Sequence, residues 1–334
     1  MMAREEQRLR RSPFLVPDPE LRDYLQGIAC RVSGPHCPDV RVYAVRNAYF
    51  NASMAPNGMM QVWSGLLLRV DNEAQLAAVM SHEAGHYLKR HSLERLRDAK
   101  NRSALGVLLA PFGAAGLVGQ LVLAATMMQY SRDQEREADA ISVQLMGAAG
   151  YDTSQATLVW SNLLAEINAR PNADAVKDSV LFATHPPSEE RRDTLTRLGK
   201  PGGETGAERY RQTLAALQLQ LLEDELKRGQ YEETFALLDR KIGTEPERAD
   251  YRYARGEARR LRNQPKDLDE ALTDLTAATQ AGQPPPQAWR SLGLLQRTRG
   301  DKAAAATSFA RYLELAPNAP DASLIKSYVS ELQT

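Results

Sequence analysis

The sequence predicts an α+β architecture: a mainly helical domain with a small β-sheet, followed by an all-α solenoid of helical pairs. Three observations carry that reading. Short apolar runs of strand type flank Asn57-Gly58 ahead of the first long helical pattern. A helical apolar period then runs through His82-Glu83-Ala84-Gly85-His86. Beyond a Gly/Pro-rich break near residue 200, small and aromatic residues recur at fixed offsets. The length of 334 residues suits two or more domains. With 42 Lys+Arg against 42 Asp+Glu there is no net charge, so the basic footprint of a nucleic-acid binder is missing and no nucleic-acid partner is expected.

Residues 1–20 are charged, then punctuated by Pro13, Pro17 and Pro19, and read as an N-terminal arm leading to a helix near Leu21. Cys30 and Cys37, the only cysteines, bracket a short loop holding Gly34 and Pro35. They can close a disulfide, which would place the chain in an oxidising compartment, or stay as two buried thiols. The Met1–Arg8 stretch carries no apolar signal core, so either a signal has been removed or the protein is cytosolic. Val40–Val45 alternates and is β-branched, which predicts a strand. Ala48–Met54 and Met59–Val62, on either side of Pro56-Asn57-Gly58, predict a hairpin. Asp71 or Asn72 marks the next helix start, with Gln75 three residues after Asn72, and the helical pattern continues to about Leu96.

Within that helix, His82 and His86 differ by about 40° in azimuth and one turn in height, so two imidazoles face one point. At that spacing they are a chelate for zinc. Glu83 lies about 100° round from His82; it cannot easily join as a ligand, yet it borders the same cleft and can take a proton from an activated water. A third ligand is still required. His91, about 140° beyond His86 on a continuous helix, should serve structure and not reach the metal.

Ser103 to Ser131 contains no charged residue, and Ala104–Met128 is almost wholly apolar. One membrane span there would separate His82 from everything beyond Arg132, and two spans need more apolar residues than are present. If a third ligand follows Arg132, the stretch must form buried helices, a lid over the cleft, or an interfacial hairpin making peripheral membrane contact. Another helix opens at Tyr130-Ser131-Arg132, where Glu135 and Asp139 share one face and Glu137 points away.

His82-Glu83-x-x-His86 followed by Glu135-x-x-x-Asp139 resembles the zinc metallopeptidase family that includes the HtpX and CAAX-prenyl proteases. The hairpin before the helix, Gly65-Leu66-Leu67, Gly150-Tyr151-Asp152, and Thr184-His185-Pro186-Pro187 with Arg191 beyond match it too. The resemblance implies a zincin-type metallopeptidase domain over residues 21–198. In it His82, His86 and Glu135 would ligate one zinc, Glu83 would be the catalytic base, and Asp139 would orient a ligand histidine through its other ring nitrogen. The multiple hydrophobic spans of the membrane-embedded members are missing, which points to the soluble, periplasmic BepA-like branch. There the counterpart of His185 can take the metal's open position and hold the enzyme closed, and Arg191 lines the cleft. A structural histidine before a Pro-Pro turn is the other reading of His185.

Gly199–Gly206 has the composition of a flexible linker. Beyond it Trp289, Leu292, Gly293, Ala305, Phe309 and Pro317 fall at tetratricopeptide spacing, although Tyr312 stands where a small residue is usual. An earlier copy carries Tyr253 and Gly256, then Ala271, Leu275 and Ala278 once an insertion of about three residues is allowed, and a weaker one contains Gly229, Leu238 and Pro246. Residues 207–334 therefore resemble a short tetratricopeptide solenoid whose concave face either binds a partner, the favoured reading, or caps the protease. The expected function is a zinc endopeptidase acting on unfolded or misassembled proteins in envelope quality control, with the repeats docking on envelope assembly machinery. Extended substrate would add as a strand near Asn51–Met54. The rival reading is a tetratricopeptide chaperone or adaptor for outer-membrane protein assembly with a latent protease. The periplasm is the expected compartment and the cytoplasm the alternative.

Overall fold

The computed structural model describes residues 2–94, 97, 131–171 and 189–333. The apolar stretch Ala104–Met128 and His185 lie outside the described residues. The chain divides into two compact units, Met1–Asn168 with Asn172–Ala216, and Ala169–Pro171 with Leu217–Thr334.

Residues 1–20, expected as an arm, form helix α1 (Met2–Arg10) and a bridge from Leu15 to Val45. A buried carboxylate is the reason. Glu6 accepts from Arg41 Nε (2.7 Å), Arg41 Nη2 (2.9 Å), the Tyr43 hydroxyl (2.8 Å) and Asn57 Nδ2 (2.9 Å). Four charge-assisted bonds tie α1 to the sheet, and no apolar pattern in the arm announces them. The Arg41 hydrogen bond prevails over the opposing effect of burial and lowers the Glu6 carboxyl to about 2.

Helix α2 (Pro19–Ser33) starts near Leu21 as expected, with Asp18 accepting from the Leu21 N–H and proline in the first turn. The 3₁₀ turn Gly34–Asp39 follows, and a Cys30–Cys37 disulfide ties it to the last turn of α2, which decides between the two readings of the cysteines. Strands β1 (Arg41–Val45), β2 (Ala52–Met54) and β3 (Met59–Trp63) form one sheet in the order β1-β3-β2. β3 pairs parallel with β1, Arg41 facing Met59, and antiparallel with β2, Ala52 facing Val62. The hairpin is present, and its Gly58 has φ +83 with no room for a side chain, since a Cβ would strike the Asp39 carbonyl. β2 is shorter than expected because the Asn47 N–H bonds to the Ser64 hydroxyl and the Asn47 carbonyl accepts from Gly65, drawing that end away from the sheet.

After α3 (Ser64–Arg69), helix α4 (Glu73–Leu88) begins at Asn72, whose side chain accepts from the Gln75 N–H at 2.9 Å while Gln75 accepts from Asp71. Every residue from Glu73 to His86 is buried. The cause is position: α4 is packed by α2, by β2, by α5 (Arg132–Ala148) and by α6 (Gln155–Asn168). It ends at Leu88, not near Leu96. Lys89 bonds back to Gly85, Arg90 adopts left-handed backbone (φ 59), and Leu93 and Glu94 bond to the Arg90 carbonyl to start a new turn. A non-glycine residue in that conformation costs about 1 kcal/mol, and no Gly or Asn marks the break in the sequence.

Helix α7 (Glu189–Leu198) leads into the segment expected as a linker, which is instead built into the first unit. Glu204 exchanges backbone bonds with Gly150 and Asp152, and Thr205 accepts from Ala74 at the start of α4. A Cβ on Gly203 would collide with the Tyr151 backbone, so close approach and not flexibility accounts for that glycine. Helix α8 (Ala207–Leu214) follows, its Arg209 bonded to Glu73 and its Tyr210 hydroxyl donating to the Leu67 carbonyl.

The second unit is all helical. It comprises α9 (Gln218–Lys227), α10 (Tyr231–Thr244), α11 (Ala249–Arg262), α12 (Asp267–Gln280), α13 (Pro286–Thr298), α14 (Lys302–Leu315) and α15 (Ala322–Leu332). The closest pairings are α11 with α12 and α13 with α14. Each depends on a glycine: a Cβ on Gly256 would sit 2.8 Å from Leu275, and one on Gly293 2.6 Å from the Phe309 ring. Among the described residues no helix is long and apolar enough to cross a membrane.

The depressed Glu6 carboxyl makes a prediction with a definite sign. Its contribution is fully present above the unfolded value of about 4.5 and is lost as pH falls toward about 2. Glu6→Gln should therefore destabilise the protein by about 2 kcal/mol near neutral pH, and the gap from the parent should narrow below pH ~5, as denaturant titrations across pH would read.

Candidate metal centre

Helix α4 presents His82 and His86 from adjacent turns, with their Nε2 atoms 3.1 Å apart. Glu135, from the first turns of α5, places Oε2 3.4 Å from His82 Nε2 and Oε1 3.4 Å from His86 Nε2. All three side chains are buried. Two imidazole nitrogens and a carboxylate at these separations fit zinc: donors 2.0–2.1 Å from a tetrahedral ion lie about 3.3–3.4 Å from one another. The three form a group capable of holding a metal ion.

What allows α5 so close is the small residue inside the motif. A Cβ on Gly85 would stand only 3.3 Å from the Ala138 backbone, and Ser142 Oγ donates to the Ala78 carbonyl at 3.0 Å. The capping box at Ser131 and Gln134 sets where α5 begins, and so which turn carries Glu135.

A shell of charge stands behind these residues. Asp139 Oδ1 lies 2.9 Å from His82 Nδ1, the nitrogen facing away from His86. Arg191, from α7, reaches Asp139 with Nη2 (2.7 Å) and Nε (2.9 Å) and Glu135 Oε2 with Nη1 (2.8 Å). Its guanidinium carbon lies 3.9 Å from the centre of the Trp160 ring on α6. Burial disfavours the Asp139 carboxylate, yet the Arg191 charge and the His82 hydrogen bond prevail and hold it below the ordinary range. For His82, burial and the Arg191 charge favour the neutral ring, but the hydrogen bonds to Asp139 and Glu135 win and raise it to about 9.

On the other side, His86 Nδ1 is 3.0 Å from His91 Nδ1, and His91 Nε2 is 3.1 Å from Glu137 Oε2, which also pairs with Lys89. Glu83 is buried on α4, next in sequence to His82. A cavity of about 430 Å³ opens beside His86, walled by Tyr87, Leu88, Met54 of strand β2, and His36 and Asp39 of the disulfide-tied turn.

The structure thus gathers His82, His86, Glu135, Asp139 and Arg191 into one buried cluster, and His185 is outside the described residues. Arg191, expected along a cleft, is held inward between two carboxylates. Trp160 and the His91–Glu137 contact were not foreseen. No local pattern marks Trp160, and His91 reaches His86 only because the helix breaks at Arg90.

Two imidazoles one turn apart on a buried helix, met by a carboxylate from a neighbouring helix, form a metal-binding group of the kind metallopeptidases use. Within that class, this chain belongs to peptidase family M48, whose family model matches residues 16–198, more than half of the sequence. It is 30% identical over 148 residues to the mitochondrial metalloendopeptidase OMA1 of Saccharomyces cerevisiae, covering 44% of this chain and 43% of that protein. To the beta-barrel assembly-enhancing protease of Escherichia coli strain K12 it is 30% identical over 203 residues, 55% of this chain and 40% of the relative. A putative beta-barrel assembly-enhancing protease of Vibrio cholerae is 28% identical over 206 residues, with the same coverage. The matches therefore span about two-fifths of these relatives' lengths.

With the His82 ring raised to about 9, the metal-free site carries a proton there at neutral pH that a bound cation must displace. Zinc binding should release a proton at pH 7, and this group should weaken affinity about tenfold for each pH unit below 9. Calorimetry in buffers of different ionisation enthalpy reads the proton count directly.

Proposed function

We propose that this chain is a zinc-dependent endopeptidase that hydrolyses unfolded or misassembled proteins as part of envelope quality control. The observation that carries it is the convergence of His82, His86 and Glu135, with Glu83 buried on the same helix as the two histidines. When bound there, zinc supplies a Lewis acid that polarises the scissile carbonyl and makes a water acidic.

The chain's own residues supply the rest. Glu83 accepts the proton of the attacking water on a carboxylate oxygen and returns it to the leaving amine nitrogen. Asp139 orients the His82 ring through Nδ1, and Arg191 holds Asp139 and Glu135 in place. β2 is an outer strand of the sheet, and its Met54 walls the cavity next to His86. An extended peptide can add to such an edge, which favours unfolded substrates whose backbone groups are free to pair.

The Cys30–Cys37 disulfide supports an oxidising compartment, and the names of the bacterial relatives favour the periplasm. The glycine-dependent helix pairs at Gly256 and Gly293 support a tetratricopeptide region that docks on envelope assembly machinery. The same pairs favour a second reading, an assembly chaperone or adaptor with a latent protease.

Glu83→Gln separates the two. Cleavage of a denatured β-barrel protein by the zinc-loaded chain should fall about 10²–10⁴-fold while zinc content is unchanged. Undiminished cleavage would remove Glu83 from the chemistry. Full rescue of barrel assembly in cells by the inactive variant would favour the adaptor.

A further inference from the structure

His82 and His86 are oriented by unlike means. The ring nitrogen of His82 that faces away from His86 meets a carboxylate directly. That of His86 meets a second imidazole, His91, whose far nitrogen meets Glu137. On a straight helix His91 would face elsewhere, but the left-handed backbone at Arg90 turns the chain and brings its buried ring to within 3.0 Å of His86.

The two Nδ1 atoms at that distance cannot both be bare, because their lone pairs would repel, and cannot both carry hydrogen. If His86 gives its Nε2 lone pair to a cation as a neutral ring, its hydrogen must be on Nδ1. His91 must then accept at Nδ1 and carry its own hydrogen on Nε2, aimed at Glu137.

We propose that His91 and Glu137 are positioning residues that hold His86 in the Nδ1–H tautomer, forming a carboxylate–imidazole–imidazole relay behind the metal site. Glu137 anchors the chain end, and its own placement is fixed by Lys89, one residue before the helix break. The relay rests on the zinc reading above, and its test distinguishes the two.

Zinc affinity, measured by competition with a chromophoric chelator, should fall about 10–100-fold in His91→Leu, the range for losing an outer-shell partner. His91→Asn places an amide oxygen near the Nδ1 position and should bind more tightly than His91→Leu, while Glu137→Gln should show a smaller loss. Should His91→Leu fail to fold, the asparagine variant and spectroscopy still decide. Nitrogen-15 spectra of the zinc-loaded, histidine-labelled wild type should show His91 protonated at Nε2 and bare at Nδ1. The opposite tautomer would overturn the relay, as would folded His91→Leu with wild-type affinity, or asparagine and leucine variants of equal affinity. A wild-type chain that binds no zinc would overturn both the relay and the zinc reading, whereas zinc binding indifferent to His91 would overturn the relay alone.

Discussion

The backbone contact between α4 and α5 at Gly85 and Ala138 is the constraint on which the site depends. Glu135 and Asp139 lie one turn apart on α5, as His82 and His86 do on α4, so the two helices must approach closely for their side chains to meet. With 3.3 Å between an ideal Cβ at Gly85 and the Ala138 backbone, a larger residue would push α5 outward by a few tenths of an ångström. A separation set by packed backbone is stiffer than one set by side chains, which is what a metal site with distance tolerances of about 0.2 Å requires.

That approach buries two carboxylates, and the rest of the unit answers the charge. Arg191 crosses from α7 to meet both, and the Trp160 face covers its guanidinium. Paired this way the buried ions are tolerable; removing one partner would strand the others, at about 3–5 kcal/mol. Another buried carboxylate is handled alike at the N-terminal end of α4. Glu73 accepts from Tyr151 and Arg209, so the segment after α7 and helix α8 close over the start of the motif helix. Segments distant in sequence thus fasten both ends of one helix.

The second unit follows a simpler rule. Its helix pairs are held by glycines that admit Leu275 and Phe309, and by arginines such as Arg255 meeting Asp274 across α11 and α12.

Much of the first unit was legible because its signals are local. The Asn57-Gly58 hairpin, the Asn72 cap, and the four-residue spacings of His82 with His86 and Glu135 with Asp139 depend on turn chemistry and helical period alone. From these the α+β class and the His82–His86 chelate follow; Glu135 as the third donor is what the family resemblance implies, and the fold brings its carboxylate to the two imidazoles. Tertiary structure decided what local signals do not encode. Glu6 makes the arm a fastened helix because its partners lie 35 to 51 residues away. The glycines at 199–206 read as flexibility, but Gly203 answers a backbone contact with Tyr151. The break at Arg90 has no residue to announce it, since only the surrounding packing holds an arginine in left-handed backbone. The sequence by itself therefore determined which side chains could chelate a metal; the tertiary contacts decided how those side chains are aimed and charged, because orientation and pKa depend on neighbours that the chain brings together only on folding.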